Sequence, residues 1–217
     1  MNTDFKPKAA IFDMDGLMLD TERPMVTGWI DAGKIIGWDI TKDLAIDTIG
    51  LNGEDIRNLC MSRLGPDFPY AQFDVVLHRL FEEEFAKGIA HKPGLIKILD
   101  HLADNKIPMA VATSTYKKSA YNKLAIAGIT DYFKVVACGD EVPKGKPAPD
   151  VFLLAAQRLG VPAADCVGFE DSAAGLQALA GAGIHSVFVK DLIEPPADVL
   201  STVWKRLDDL GEAVSLF

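Results

Sequence analysis

The amino-acid sequence predicts an α/β fold: a parallel sheet core with a small helical cap domain inserted after the first strand. Short apolar runs bounded by polar or glycine-rich turns recur along the chain, and in the second half helical repeats alternate with them. Between residues 18 and 88 that alternation stops and only helical patterns remain. With 217 residues, 49% of them hydrophobic, the chain is long enough to bury on the order of 70% of its unfolded surface in one domain or two small ones.

AAIF (9–12) opens the sheet, and MAVA (109–112), VVAC (135–138), CVGF (166–169) and SVFV (186–189) continue it as short runs that read as strands buried on both faces. Between them Leu95, Ile98, Leu99 and Leu102 repeat at helical spacing, as do Phe152, Ala155, Ala156 and Leu159, and then Leu176, Leu179 and Ala180. In the insertion Met25, Trp29, Ala32 and Ile36 share one helical face, and Phe73, Val76, Leu77, Leu80 and Phe81 share another. The expected domains are a core of residues 1–17 and 89–217 and a helical cap of residues 18–88, attached by two linkers near the end of the first strand, a position from which a cap can open and close over a site.

A net charge of −9 argues against nucleic acid or an anionic membrane as the main partner, because both require a basic face. Cys60, Cys138 and Cys166 are odd in number and widely spaced among apolar neighbours, which points to core packing in a reducing compartment. No stretch has the length or apolar character of a signal peptide or membrane span, so the cytoplasm is the expected location. Nothing in the pattern demands an oligomer, and a monomer is compatible with it.

In open parallel sheets ligands bind beyond the carboxyl ends of the strands. There the first run ends in Asp13-Met14-Asp15, the second in Thr113-Ser114-Thr115, and the fourth in Glu170-Asp171-Ser172. Like charges crowded at a sheet edge are tolerable around a cation, and hard oxygen donors suit an octahedral Mg²⁺ better than zinc. Each piece alone has a plainer explanation. Asp15-Gly16 is a good turn dipeptide, Glu170-Asp171 suits a helix start, and Thr113 to Thr115 suit an N-cap for a helix over about 116–127. The loop GDEVPKGKPAPD (139–150) is not a P-loop, since five residues separate its glycines and Pro147 follows Lys146. Lys146 draws attention only because prolines stiffen its loop at the ligand edge.

Together, FDMDG (12–16), ATS (112–114), KGKPAPD (144–150) and GFEDSAAG (168–175) resemble the four ordered motifs of the haloacid dehalogenase-like phosphatases, nearest the subgroup of beta-phosphoglucomutase and small sugar-phosphate phosphatases. The resemblance covers nearly the whole chain. It implies a Rossmann-like core and a Mg²⁺-dependent phosphatase for a small phosphorylated metabolite. In it Asp13 is the nucleophile, Asp15 the acid and base, Thr113 with Ser114 and Lys146 bind the phosphoryl group, and Asp13, Asp15 through its carbonyl, and Asp171 hold the metal with Glu170 in support. Two positions depart from the mutase pattern: Met25 stands where a histidine is common, and Gly53 where a cap arginine grips a second phosphate. Both weigh against a phosphomutase, the alternative of the same fold. A phosphoryl-accepting regulatory module, the alternative of another class, has no need of a cap of roughly 70 residues. Glu22, Trp29, Asn52 and Asp55 are the cap positions expected to face substrate, although Trp29 also lies on the apolar stripe of its helix.

Overall fold

The computed structural model describes residues 5–49, 51 and 53–217. It divides into two compact units, Met1–Leu19 with Ala90–Phe217, and Asp20–Ile89. The first carries six parallel strands: β1 (Ala9–Phe12), β2 (Met109–Ala112), β3 (Val135–Ala137), β4 (Cys166–Glu170), β5 (His185–Val189) and β6 (Lys205–Leu207), in the order β3-β2-β1-β4-β5-β6. The chain leaves β1 for β2 on one side and reaches β4 on the other, so a topological switch lies between β1 and β4, where open sheets place their ligands.

All four residues of β1 and all five of β4 are buried, as expected for strands covered on both faces. Small side chains do this work in part: Ala9, Ala110, Ala112 and Ala137 leave room for Phe152, Val151 and Leu179, which pack with them in one core. On the facing side Phe12 stacks on Phe169 with ring centroids 4.8 Å apart. β6 lies outside the apolar runs of the sequence: its Lys205 and Arg206 are exposed and only Leu207 is half-buried, so this edge strand carries no apolar signature.

The other unit consists of α1 (Glu22–Ile36), α2 (Lys42–Asp47), α3 (Gly53–Leu64) and α4 (Tyr70–Phe85). Its own core gathers Val26, Trp29, Ala32, Leu44, Cys60, Phe68, Phe73 and Leu77, with Trp29 meeting Phe73 edge-on at 4.9 Å. Trp29 is therefore core. Val26 takes the buried place expected of Met25, which is half-buried, because the helix turns its stripe one residue further round. Asp55 is exposed, Glu22 is buried, and Asn52 lies outside the described residues. The division falls after Leu19 and Ile89 rather than after 17 and 88 because Gly16 donates to the Leu19 carbonyl, Lys92 to that of Met18, and Leu19 bridges His91, all within the sheet unit.

In the sheet unit α5 (Leu95–Asp104), α6 (Lys117–Ile126), α7 (Asp150–Leu159), α8 (Ala173–Ala182) and the short α9 (Ala197–Leu200) complete the fold. The predicted stripes of α5 and α7 are buried throughout. In α8 Ala180 faces outward, and Ala178 and Ala182 are buried in its stead. The three cysteines are unpaired and buried. Among the described residues no helix is long and apolar enough to cross a membrane.

Candidate active site

Register sets the site. Phe12 lies opposite both Val111 and Phe169, so Asp13 just after β1, Thr113 just after β2 and Glu170 at the end of β4 come to the same edge of the sheet. Asp13 continues the ladder for one bond, its N–H donating to the Phe169 carbonyl at 3.0 Å, and that of Thr113 donates to Ala137 at 3.0 Å. Asp15 and Gly16 do not close a hairpin: Met18 and Leu19 both donate to the Met14 carbonyl, and β1 pairs only with parallel neighbours.

The Lys146 ammonium donates to Asp13 Oδ1 and to Glu170 Oε1, each at 2.5 Å, and lies 4.7 Å from the centre of the Phe152 ring. Its side chain is 6% exposed, so these bonds work in a low-dielectric setting. Asp13, Glu170 and Asp171 are all buried, and one carboxylate oxygen from each lies within 4.8 Å of the others. Three buried carboxylates and one ammonium leave a surplus of negative charge. Burial pushes the Asp13 carboxyl well above its usual range, Lys146 draws it back only in part, and Glu170 and Asp15 push it further up. Burial alone would lower Lys146, but Asp13 and then Glu170 outweigh it and hold the ammonium protonated. An all-oxygen donor set with excess negative charge fits a divalent cation.

Glu170 is fixed from both sides. Its Oε2 accepts the N–H groups of Asp171 and Ser172 at 2.9 and 2.8 Å and the Ser172 hydroxyl at 3.0 Å, and that hydroxyl caps α8 by accepting from Gly175 at 3.0 Å. Gly175 must lack a side chain, since a Cβ there would lie 1.7 Å from Glu170 Oε1.

Asp15 is directed elsewhere. Its Oδ2 accepts the Thr115 hydroxyl at 2.7 Å and its Oδ1 the Lys123 ammonium at 2.6 Å, so its carboxylate is not part of the three-acid group. Thr113 is buried and accepts the Thr115 N–H at 3.0 Å through its hydroxyl, whereas Ser114 is exposed. The expectation that Thr113 to Thr115 cap the next helix fails: α6 begins at Lys117, and its first N–H donates to Asp140 Oδ1 from the turn after β3 at 2.9 Å. That turn approaches closely, for a Cβ on Gly139 would lie 2.2 Å from the Ser114 carbonyl oxygen.

Sequence reasoning missed Lys123 and the part played by Thr115. The only hint is position: Lys123 sits three residues after buried Ala120 and beside buried Leu124, inside the apolar stripe of α6.

A parallel sheet presenting acids and a lysine at its switch point defines an α/β enzyme-like site. A family profile described as haloacid dehalogenase-like hydrolase matches residues 7–183. The phosphorylated carbohydrates phosphatase of Thermotoga maritima is 31% identical over 181 residues, spanning 83% of this chain and 84% of that one. The beta-phosphoglucomutase of Bacillus subtilis is 30% identical over 189 residues, 84% of this chain and 83% of that one. The crystal structure of CbbY from Rhodobacter sphaeroides in complex with phosphate superposes with a TM-score of 0.80 at 25% identity, covering 95% of this chain and 96% of that one. The chain belongs to the haloacid dehalogenase-like hydrolases.

Proposed function

We propose that this chain is a Mg²⁺-dependent phosphatase that releases phosphate from a small phosphorylated metabolite, a sugar phosphate or similar monoester, through an aspartyl phosphate on Asp13. Lys146, joined to Asp13 and Glu170 at 2.5 Å, carries this reading, because a nucleophile already paired with a buried cation is poised to receive an anionic phosphoryl group. Phosphate monoesters hydrolyse so slowly that acceleration of up to ~10²¹ is required, against ~10²–10⁴ from one acid or base. A nucleophile, cations and a proton donor must therefore act together.

Asp13 attacks phosphorus while Asp15 gives a proton to the departing oxygen. Asp15 then takes a proton from the water that attacks the aspartyl phosphate, which frees inorganic phosphate and restores Asp13. Lys146 offsets charge on the phosphoryl oxygens, and Thr113 with Ser114 cradles them. Asp13, Asp171 and the Asp15 carbonyl would hold Mg²⁺, with Glu170 steadying that shell; the bound ion supplies charge neutralisation at the phosphoryl group. The helical unit acts as a cap that selects among substrates.

Identity to a phosphatase and to a mutase is nearly equal, so the residues must separate them. Met25 and Gly53, where the mutase pattern has histidine and arginine, favour hydrolysis. Phosphate release should be measured across sugar phosphates, nucleotides and glycolytic intermediates, with and without Mg²⁺. We expect release with Mg²⁺ and, in Asp13→Asn, a loss of roughly 10⁴-fold or more, the scale seen when a nucleophile is removed. Sugar-phosphate interconversion without free phosphate would instead identify a mutase.

A further inference from the structure

The geometry points to Lys123 as a positioning residue for Asp15, an inference that rests on the phosphatase reading above. Lys123 lies 108 residues from Asp15, on α6, yet its ammonium meets Oδ1 at 2.6 Å while the Thr115 hydroxyl meets Oδ2 at 2.7 Å. The Lys123 side chain is 12% exposed, an unusual place for a lysine that merely solvates a helix. Its long stem carries the ammonium from α6 to the Asp15 carboxylate.

Rotation about the last bond of an aspartate is broad and roughly two-fold, so a single anchor leaves the carboxylate plane free to swing. Anchors on both oxygens fix that plane. Each carboxylate oxygen has two acceptor positions, so a donor on each oxygen fixes the plane without by itself filling both positions of either. Thr115 belongs to the strand-end loop and Lys123 to the helix it feeds. The clamp therefore ties the acid to the element that also carries Thr113. Misplacement of a reacting group by about 1 Å can cost ~10² in rate.

Leaving-group dependence tests this. With full-length protein and Mg²⁺, kcat/KM should be compared for phenyl phosphate, whose leaving oxygen needs a proton, and p-nitrophenyl phosphate, whose leaving oxygen does not. Lys123→Met should lower kcat/KM for phenyl phosphate about tenfold more than for p-nitrophenyl phosphate, a fraction of the ~10²–10⁴ that a general acid is worth, and Lys123→Arg should restore most of the ratio. Inhibition by inorganic phosphate should stay the same, since Lys146 and Thr113 are untouched. A purely structural role would depress both substrates equally, and that result, or no change in the ratio, overturns the inference. If Lys123→Met fails to fold, Thr115→Val removes the other anchor and should shift the ratio in the same direction; an unchanged ratio there counts equally against it. Wild-type protein inert on both esters, or Asp13→Asn as active as wild type, would sink the phosphatase reading itself, whereas an unresponsive ratio in an active, Asp13-dependent enzyme sinks only the role of Lys123.

Discussion

At the scale of single residues, the acid cluster depends on a hydrogen atom. Gly175 lets the Glu170 carboxylate lie against the first turn of α8, where two N–H groups and a hydroxyl hold it and where it in turn holds Lys146. In Gly175→Ala the new methyl group would meet Glu170 Oε1 at 1.7 Å, a contact no rotamer change of alanine can relieve. Glu170 must move, and Lys146 loses one of its two partners. We expect kcat/KM to fall roughly 10–100-fold, the usual cost of disturbing the support of a metal or phosphate site, with the Mg²⁺ concentration for half-maximal activity rising. Titration of activity against Mg²⁺ in wild type and variant checks both. An unchanged Mg²⁺ requirement would show that Glu170 does not support the metal shell.

At the scale of elements, the turn after β3 is locked by Glu141. Its carboxylate accepts from both Arg158 nitrogens at 3.1 and 3.2 Å, from Lys117 at 3.3 Å and from the Cys138 N–H at 3.1 Å, which binds α7, α6 and the end of β3 together. The Arg158 bonds, against the effect of burial, and then Lys117 and Cys138 lower its pKa from 4.5 to about 2. A lowered carboxylate pKa stabilises the fold above the unfolded value, and that contribution is lost as pH falls from about 4.5 through about 2. Glu141→Gln should cost about 1–2 kcal/mol at neutral pH, the low part of the range for charged hydrogen bonds because Arg158 is 38% exposed. Its Tm should therefore lie roughly 2–8 °C below wild type. Melting curves across pH should show the gap closing towards pH 2; a gap that persists there would mean the bonds do not depend on ionised Glu141.

Legibility in the sequence follows the same physics. β1 and β2 begin and end where their apolar runs do, because burial on both faces demands such runs, whereas β6 is an exposed edge and leaves no trace. The acids were readable because two like-charged pairs after buried strands need a reason. Lys123 was not, because its pairing with Asp15 arises only when β1 and α6 meet in space.

At the scale of the whole molecule, the site and the insertion separate cleanly along the chain. Asp13, Thr113, Lys146, Glu170 and Asp171 all come from the sheet unit, while residues 20–89 fold around a core of their own. An antiparallel bridge between Leu19 and His91 holds the two chain crossings side by side, about 5 Å apart as bridged strands are. Two or three glycine or serine residues, at up to ~3.5 Å each, span that gap. A chain in which such a linker replaces residues 20–89 should therefore still fold, with one cooperative melting transition. It should also gain stability from Mg²⁺, since binding to the native state alone contributes about 2.7 kcal/mol at a concentration one hundred times Kd. Selectivity among sugar phosphates should vanish, while slow hydrolysis of p-nitrophenyl phosphate survives. Calorimetry with and without Mg²⁺, beside the same measurement on Asp171→Asn, separates the parts. A folded deletion variant that ignores Mg²⁺ would place the ion's ligands in residues 20–89, and one that fails to fold would show that the sheet unit depends on its insertion.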